Sequence, residues 1–160
     1  MKIFIGTDHV GYEFKNKLIV HLKDLGYEIE DKGAFVFDKN DDYPDFITPV
    51  AEAVAKDSES VGIILGGSGQ GEAMCANRVK GVRAMVFYGM QKTVLPVDAT
   101  GRESVDMFEI INLSRGHDSA NIISLGMCFI SEKEATNAVD IFLKESFSNV
   151  DRYIRRINKF

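Results

Sequence analysis

A chain of 160 residues, 45% hydrophobic and 27% charged with only three prolines, suits one globular domain with a single core. Its net charge of -5, with acids and bases mixed along the chain, argues against nucleic acid as a main partner, which needs clustered lysine and arginine. No apolar run approaches membrane-spanning length, so no membrane partner is expected.

Lys2–Gly6 reads as a short buried strand that breaks into a loop at Thr7-Asp8. Phe14, Leu18, Leu22 and Leu25 then recur at helical spacing, and Gly26 supplies the stop. Tyr27–Asp31 alternates as a strand, Phe37–Asp45 is loop with Pro44 as its marker, and Ile47–Ala55 looks helical. Val61–Leu65 is another buried strand, running straight into Gly66-Gly67-Ser68-Gly69-Gln70-Gly71-Glu72. A helix over about Glu72–Val79 and a strand over Val82–Phe87 follow. Tyr88–Val105 carries no readable period, being interrupted by Pro96 and Gly101. Phe108–Leu113 resumes helical spacing before a loop over Ser114–Asp118, and Asn121–Leu125 is the fifth strand. Helices over Glu132–Lys144 and from about Val150 complete the chain.

Strands alternating with helices at this spacing predict an α/β fold, a five-stranded and mainly parallel sheet with helices on both faces and a C-terminal helix. Such sheets hold ligands beyond the C-terminal strand ends. Three segments are expected there: Thr7-Asp8-His9, the Gly66–Glu72 loop and, just before the fifth strand rather than after it, His117-Asp118.

Four glycines between a strand and a helix let the backbone turn N–H groups toward an anion, and a helix N-terminus adds a favourable field. Walker A is excluded, since no lysine follows. The dinucleotide pattern fails because Glu72 stands where its third glycine belongs. The loop suits a developing oxyanion with Glu72 as a candidate base; the plainer reading of Glu72 is a first-turn acid on the helix dipole. At the other end Arg152, Arg155, Arg156 and Lys159 fall within eight residues, a cluster suited to one small anion or a simple charge run. Cys75 and Cys128 have no metal spacing and, like the three scattered histidines, make no metal site; free thiols in apolar surroundings fit a reducing cytoplasm. The N-terminus turns polar too early for a signal peptide.

Several ordered pieces resemble the ribose-5-phosphate isomerase type B family, which includes the galactose-6-phosphate isomerase subunits. They are Gly6-Thr7-Asp8-His9-Val10-Gly11, Asp42-Tyr43-Pro44, Gly67–Glu72, Ala76-Asn77-Arg78, Gly81–Ala84, Ser114–Asp118 and Arg152–Arg156. The likeness covers residues 1–160 as one domain, with an apparent insertion at 89–106. It implies a three-layer Rossmann-like fold, no cofactor, a sugar-phosphate substrate, and a homodimer or homotetramer whose sites are shared between subunits. The implied reaction interconverts ribose 5-phosphate and ribulose 5-phosphate through an enediolate.

The same resemblance distributes roles. One branch of the family carries a cysteine base just before the glycine loop, where this chain has Gly66; the other carries a glutamate after it, matched by Glu72. Ser68, with Gly67 and the amides of Gly69, Gln70 and Gly71, matches the oxyanion cradle, and His117 the ring-opening group. Asp8 and Tyr43 match sugar-hydroxyl contacts, though Asp8 is also a candidate N-cap and Tyr43 a packing residue. His9, Arg152 and Arg156 match phosphate ligands. Three positions depart from the family: Asp118 replaces an asparagine, Tyr153 a histidine, and Cys128 a phosphate-binding arginine. The phosphate is then held more weakly, or Lys92 or Arg102 compensates, or the substrate is a hexose 6-phosphate or another sugar. A non-catalytic sugar-phosphate binder is the alternative outside enzymes, and a retained base and ring opener count against it.

Overall fold

The apolar runs become five strands in the computed structural model of the chain, which describes residues 1–159. They are β1 (Lys2–Thr7), β2 (Glu28–Asp31), β3 (Val61–Gly66), β4 (Ala84–Phe87) and β5 (Ile122–Gly126). Every pairing is parallel, and the spatial order is β2-β1-β3-β5-β4. Six helices connect and flank them: α1 (Tyr12–Asp24), α2 (Pro44–Lys56), α3 (Gln70–Ala76), α4 (Glu109–Asp118), α5 (Glu132–Lys144) and α6 (Asp151–Ile157).

Strand alternation builds two cores. Ile3 and Ile5 of β1, Ile63 and Leu65 of β3, and Ile123 and Leu125 of β5 point to one face, where Phe14, Leu18 and Leu22 of α1, Ile111 of α4 and Val139 and Phe142 of α5 cover them. Phe4, Ile64 and Ile122 point to the other, against Ile47, Val50 and Val54 of α2 and Ala76 of α3. Both faces are therefore buried, which is why the central strands read as continuous apolar runs. Chain direction across the sheet reverses between β1, whose helix leads outward to β2, and β3, whose helix leads toward β4. Right-handed crossovers put those two helices on opposite faces, opening a crevice beyond the ends of β1 and β3.

The structure corrects several element boundaries. Leu25 is exposed because α1 ends at Asp24, its last turn closed by Leu25 N–H on His21 O. α2 begins at Pro44 rather than Ile47, since proline suits a first helical position; Pro49 lies inside the same helix. α3 starts two residues earlier than expected and ends at Ala76, so Glu72 sits inside its first turn. α4 runs on through Ser114–Asp118, which is helix and not loop. Cys128 is exposed, not in apolar surroundings, while Cys75 is half-buried.

One buried cation ties the first layer together. Lys15 is fully buried on α1, and its Nζ donates to both carboxylate oxygens of Asp31 at 2.7 Å and to Ala34 O at 2.8 Å. Asp31→Ala leaves that ammonium with a single carbonyl and is expected to cost about 3 kcal/mol in urea unfolding. Lys15→Met, which removes the charge together with its need for a partner, is expected to cost clearly less.

Candidate active site

The end of β1 and the end of β3 meet in the crevice, Thr7 opposite Leu65, with Thr7 Oγ1 donating to Leu65 O at 3.1 Å. Asp8 follows directly and is 6% exposed. It does not cap α1, whose N-cap is Gly11 without a side-chain bond; instead Asp8 Oδ1 accepts from Val10 N–H at 3.0 Å, a local turn. Burial raises the Asp8 pKa, Asp41 adds to that, and the Val10 amide and His9 oppose it.

After β3 the chain passes through Gly66-Gly67-Ser68 and reverses at Gly69, φ +75° and N-cap of α3. A side chain at Gly69 would be strained by that angle and would stand 3.1 Å from Gly126 N and 3.2 Å from Ser124 Oγ. Ser124 Oγ donates to Gly69 O at 2.7 Å, and Met127 and Cys128 donate their N–H groups to Gly66 O and Gly67 O. β5 thus backs the loop and holds its carbonyls away from the ligand side. Within the loop Ser68 Oγ accepts from Gln70 N–H at 3.2 Å, and the Gly69 amide faces the Glu72 carboxylate. One of the three amides assigned to an oxyanion, that of Gln70, is therefore engaged internally.

Glu72 is 5% exposed, and its Oε2 is buried without a hydrogen-bond partner. Burial raises its pKa above the ordinary 4.5, Asp8 pushes the same way, and the amides of Glu72 and Gly69 oppose. The side chain occupies the space that a side chain at Gly66 would need. A Cβ there would lie 1.8 Å from Glu72 Oε1 and 2.2 Å from its Cδ. A cysteine before the loop and this placement of Glu72 are therefore mutually exclusive. Tyr43, the N-cap of α2, reaches the glycine loop, its hydroxyl 2.9 Å from where a Cβ on Gly71 would stand.

His9 is half-exposed at the rim and tied to Asp41, a residue to which sequence reasoning assigned no role. Asp41 Oδ1 accepts the His9 backbone N–H at 3.1 Å and lies 2.6 Å from Nδ1. The two are 32 residues apart and Asp41 lies in a polar loop, so no spacing announced the pair. Ser124, which braces the loop, was likewise invisible as a core-strand residue, and Thr7, expected to begin the loop after the first strand, is instead the last residue of β1.

His117 and Asp118 correct the expectation that they share this edge. α4 runs back against the strands, so its last turn arrives at the start of β5. Asp118 O accepts from Arg83 Nε before β4, and roughly 13 Å of β5 separates Ile122 from Gly126 beside the glycine loop. The His117 ring stacks on Tyr153 of α6, centroids 4.0 Å apart, and α6 also carries Arg152, half-buried, and Arg156, exposed. The predicted residues thus form two groups on one chain. Asp8, His9, Tyr43, Ser68 and Glu72 lie at the C-terminal strand ends; His117, Asp118, Arg152 and Arg156 lie at the opposite edge. Arg102 is committed elsewhere, pairing with Asp98 and with the buried Glu109 at 2.6 Å. Cys128 sits over the loop, its Sγ 3.6 Å from a Cβ position on Gly67.

A profile of the Ribose/Galactose Isomerase family matches residues 3–96 and 105–160, and the chain belongs to that family. It is 36% identical over 158 residues to ribose-5-phosphate isomerase B of Mycobacterium tuberculosis, spanning 99% of this chain and 86% of that one. Among solved structures it is similar to ribose-5-phosphate isomerase B from Mycoplasma genitalium with bound ribulose-5-phosphate. There the TM-score is 0.84 at 37% identity, over 99% of this chain and 92% of that one. The Clostridium thermocellum ribose-5-phosphate isomerase B structure gives a TM-score of 0.83 at 35% identity, with 99% and 94% covered. Residues 97–104 lie outside the family match. They form the tip of an arm closed by Gln91 N–H on Met107 O and Val97 N–H on Arg102 O.

Proposed function

We propose that the chain interconverts ribose 5-phosphate and ribulose 5-phosphate, moving a proton between neighbouring carbons through an enediolate with Glu72 as the base. The observation that carries this reading is the buried Glu72 carboxylate, one oxygen unpartnered, at the head of a glycine loop in a topological crevice. A base needs a pKa brought toward working pH, and burial supplies that direction. Ser68 and the loop amides stabilise the oxyanion, the Gln70 N–H turning from Ser68 Oγ to the substrate. Asp8 and Tyr43 hold sugar hydroxyls, and His9 meets the phosphate. No cofactor is required, because the electrons stay on the substrate.

The remaining residues come from a second copy. His117, which opens the sugar ring, and Asp118, Arg152 and Arg156 lie too far from Glu72 on the same chain to share a substrate with it. A homodimer, or a tetramer of such dimers, brings one copy's helix end to the other's crevice. The arm exposing Val94, Leu95 and Val105 is apolar surface of the kind that a partner covers. The free thiols suit a cytoplasmic setting. Cys128 over the loop, where the resemblance expects arginine, keeps a hexose 6-phosphate as the second substrate reading.

The test is a panel of pentose and hexose phosphates with wild type, Glu72→Gln and His117→Ala, alone and mixed. His117→Ala should lose more on cyclic than on open-chain substrate, and equal loss on both removes its ring-opening role. On cyclic substrate, mixing the two variants should restore about one quarter of wild-type activity, from mixed dimers with one intact site of two. No recovery after confirmed subunit exchange would reject the shared site.

A further inference from the structure

Given the isomerase reading above, in which His9 meets the substrate phosphate, we propose that Asp41 is the positioning residue of the anion subsite. It holds the His9 ring by Nδ1 so that Nε2 is presented to the phosphoryl group as a fixed, charged donor. The geometry is that of a carboxylate–histidine pair. One Asp41 oxygen receives both the His9 backbone N–H, at 3.1 Å, and Nδ1, at 2.6 Å, which fixes main chain and ring together. The Asp41 side chain is only 9% exposed, and its other oxygen, Oδ2, is buried without a partner. A carboxylate so placed needs a counter-charge, and His9 is the cation in contact with it.

With Nδ1 occupied, Nε2 on the far side of the ring is the nitrogen left for a ligand, and it has no protein partner among the described residues. Phe37 packs edge-on to the ring at 6.5 Å and to Tyr12 at 6.1 Å, limiting its swing. The charged groups facing His9 are all acidic. Asp41 raises its pKa above 6.5 by the hydrogen bond, burial opposes, and Asp8 and Asp38 add to the rise. An imidazolium donates to phosphate with both charge and direction, where a neutral ring in free rotation does neither.

The test combines activity with a direct view of the ring. The chain has three histidines, so 15N-histidine NMR can follow each one. Sulfate is the probe, because its charge stays constant where a phosphate monoester titrates near pH 6. In the wild type, His9 should titrate above 6.5 and its Nε2 signal should move on adding sulfate. Asp41→Asn keeps the shape and removes the charge. It should bring the His9 titration down, and at pH 7.5 raise both the sulfate Kd and the KM for ribose 5-phosphate about tenfold, with a smaller change in kcat. At pH 5.5 the ring is charged in both proteins, so the difference should close or invert, since the variant no longer carries the opposing carboxylate.

An unchanged KM at pH 7.5, or equal weakening at both pH values, overturns the proposal; the second result would mark Asp41 as scaffold. Should Asp41→Asn fail to fold, the wild-type spectrum decides alone, and a His9 that neither titrates high nor answers sulfate sinks the idea. An active isomerase with a silent His9 rejects this inference and leaves the function standing. A sulfate-responsive His9 in a chain that isomerises no sugar phosphate does the reverse.

Discussion

Glu72→Gln is expected to lower kcat for ribose 5-phosphate by about 10³-fold while making the protein more stable. The two effects share one cause. Glu72 is 5% exposed with Oε2 unpartnered, and its raised pKa means that ionisation is opposed by the fold. A carboxyl whose folded pKa lies above its unfolded value costs stability as pH rises through that window, beginning near 4.5, and the cost is complete above the folded value. Glutamine removes the charge at almost the same volume. Its thermal advantage should therefore appear at neutral pH and vanish below pH 4. In the wild type, kcat/KM should fall as pH drops through the raised Glu72 value, and that limb should disappear in whatever activity the variant retains. Near-normal turnover, or a variant less stable at pH 7, would reject Glu72 as a buried base.

Gly66→Ala is the second large effect, expected to reduce kcat roughly 100-fold, the scale set by displacing a reacting group by about 1 Å. An added methyl would stand 1.8 Å from Glu72 Oε1, so the carboxylate must leave its place. Two features make this more than a packing lesion. The clashing atoms are the end of a side chain rather than backbone, so the fold should survive and circular dichroism should be unchanged. The loss should also be non-additive: Gly66→Ala combined with Glu72→Gln should be no slower than Glu72→Gln alone, because both act through one group. A double variant much slower than either single one would mean that Gly66 works independently of Glu72. Gly66→Cys should likewise displace Glu72 rather than add a second base.

Much of this molecule was legible because its signals are local. β1, β3 and β5 are buried on both faces and read as unbroken apolar runs, and Ser131 with Glu134 closes a capping box that starts α5 where expected. The glycine loop announced itself by composition. What failed was also local in cause: Ser114–Asp118 contains glycine and polar residues that look like loop, yet Ser114 and Gly116 are buried against α5 and the following segment, and packing keeps the helix going.

The sequence by itself determined the alternation of strand and helix, the chemistry available in Gly66–Glu72, and the order of the matching pieces, since each depends on residues close in the chain. Only the tertiary structure decided which of those residues can act together. Topology places Asp8 and Glu72 in one crevice and His117 with Arg152 at the opposite edge, because a helix returning between parallel strands must end where the next strand begins. It also brought Asp41 to His9 and seated Glu72 in the space that Gly66 leaves. Contacts of that kind, between residues far apart in the chain or through a side chain that is absent, leave no periodicity or spacing to read.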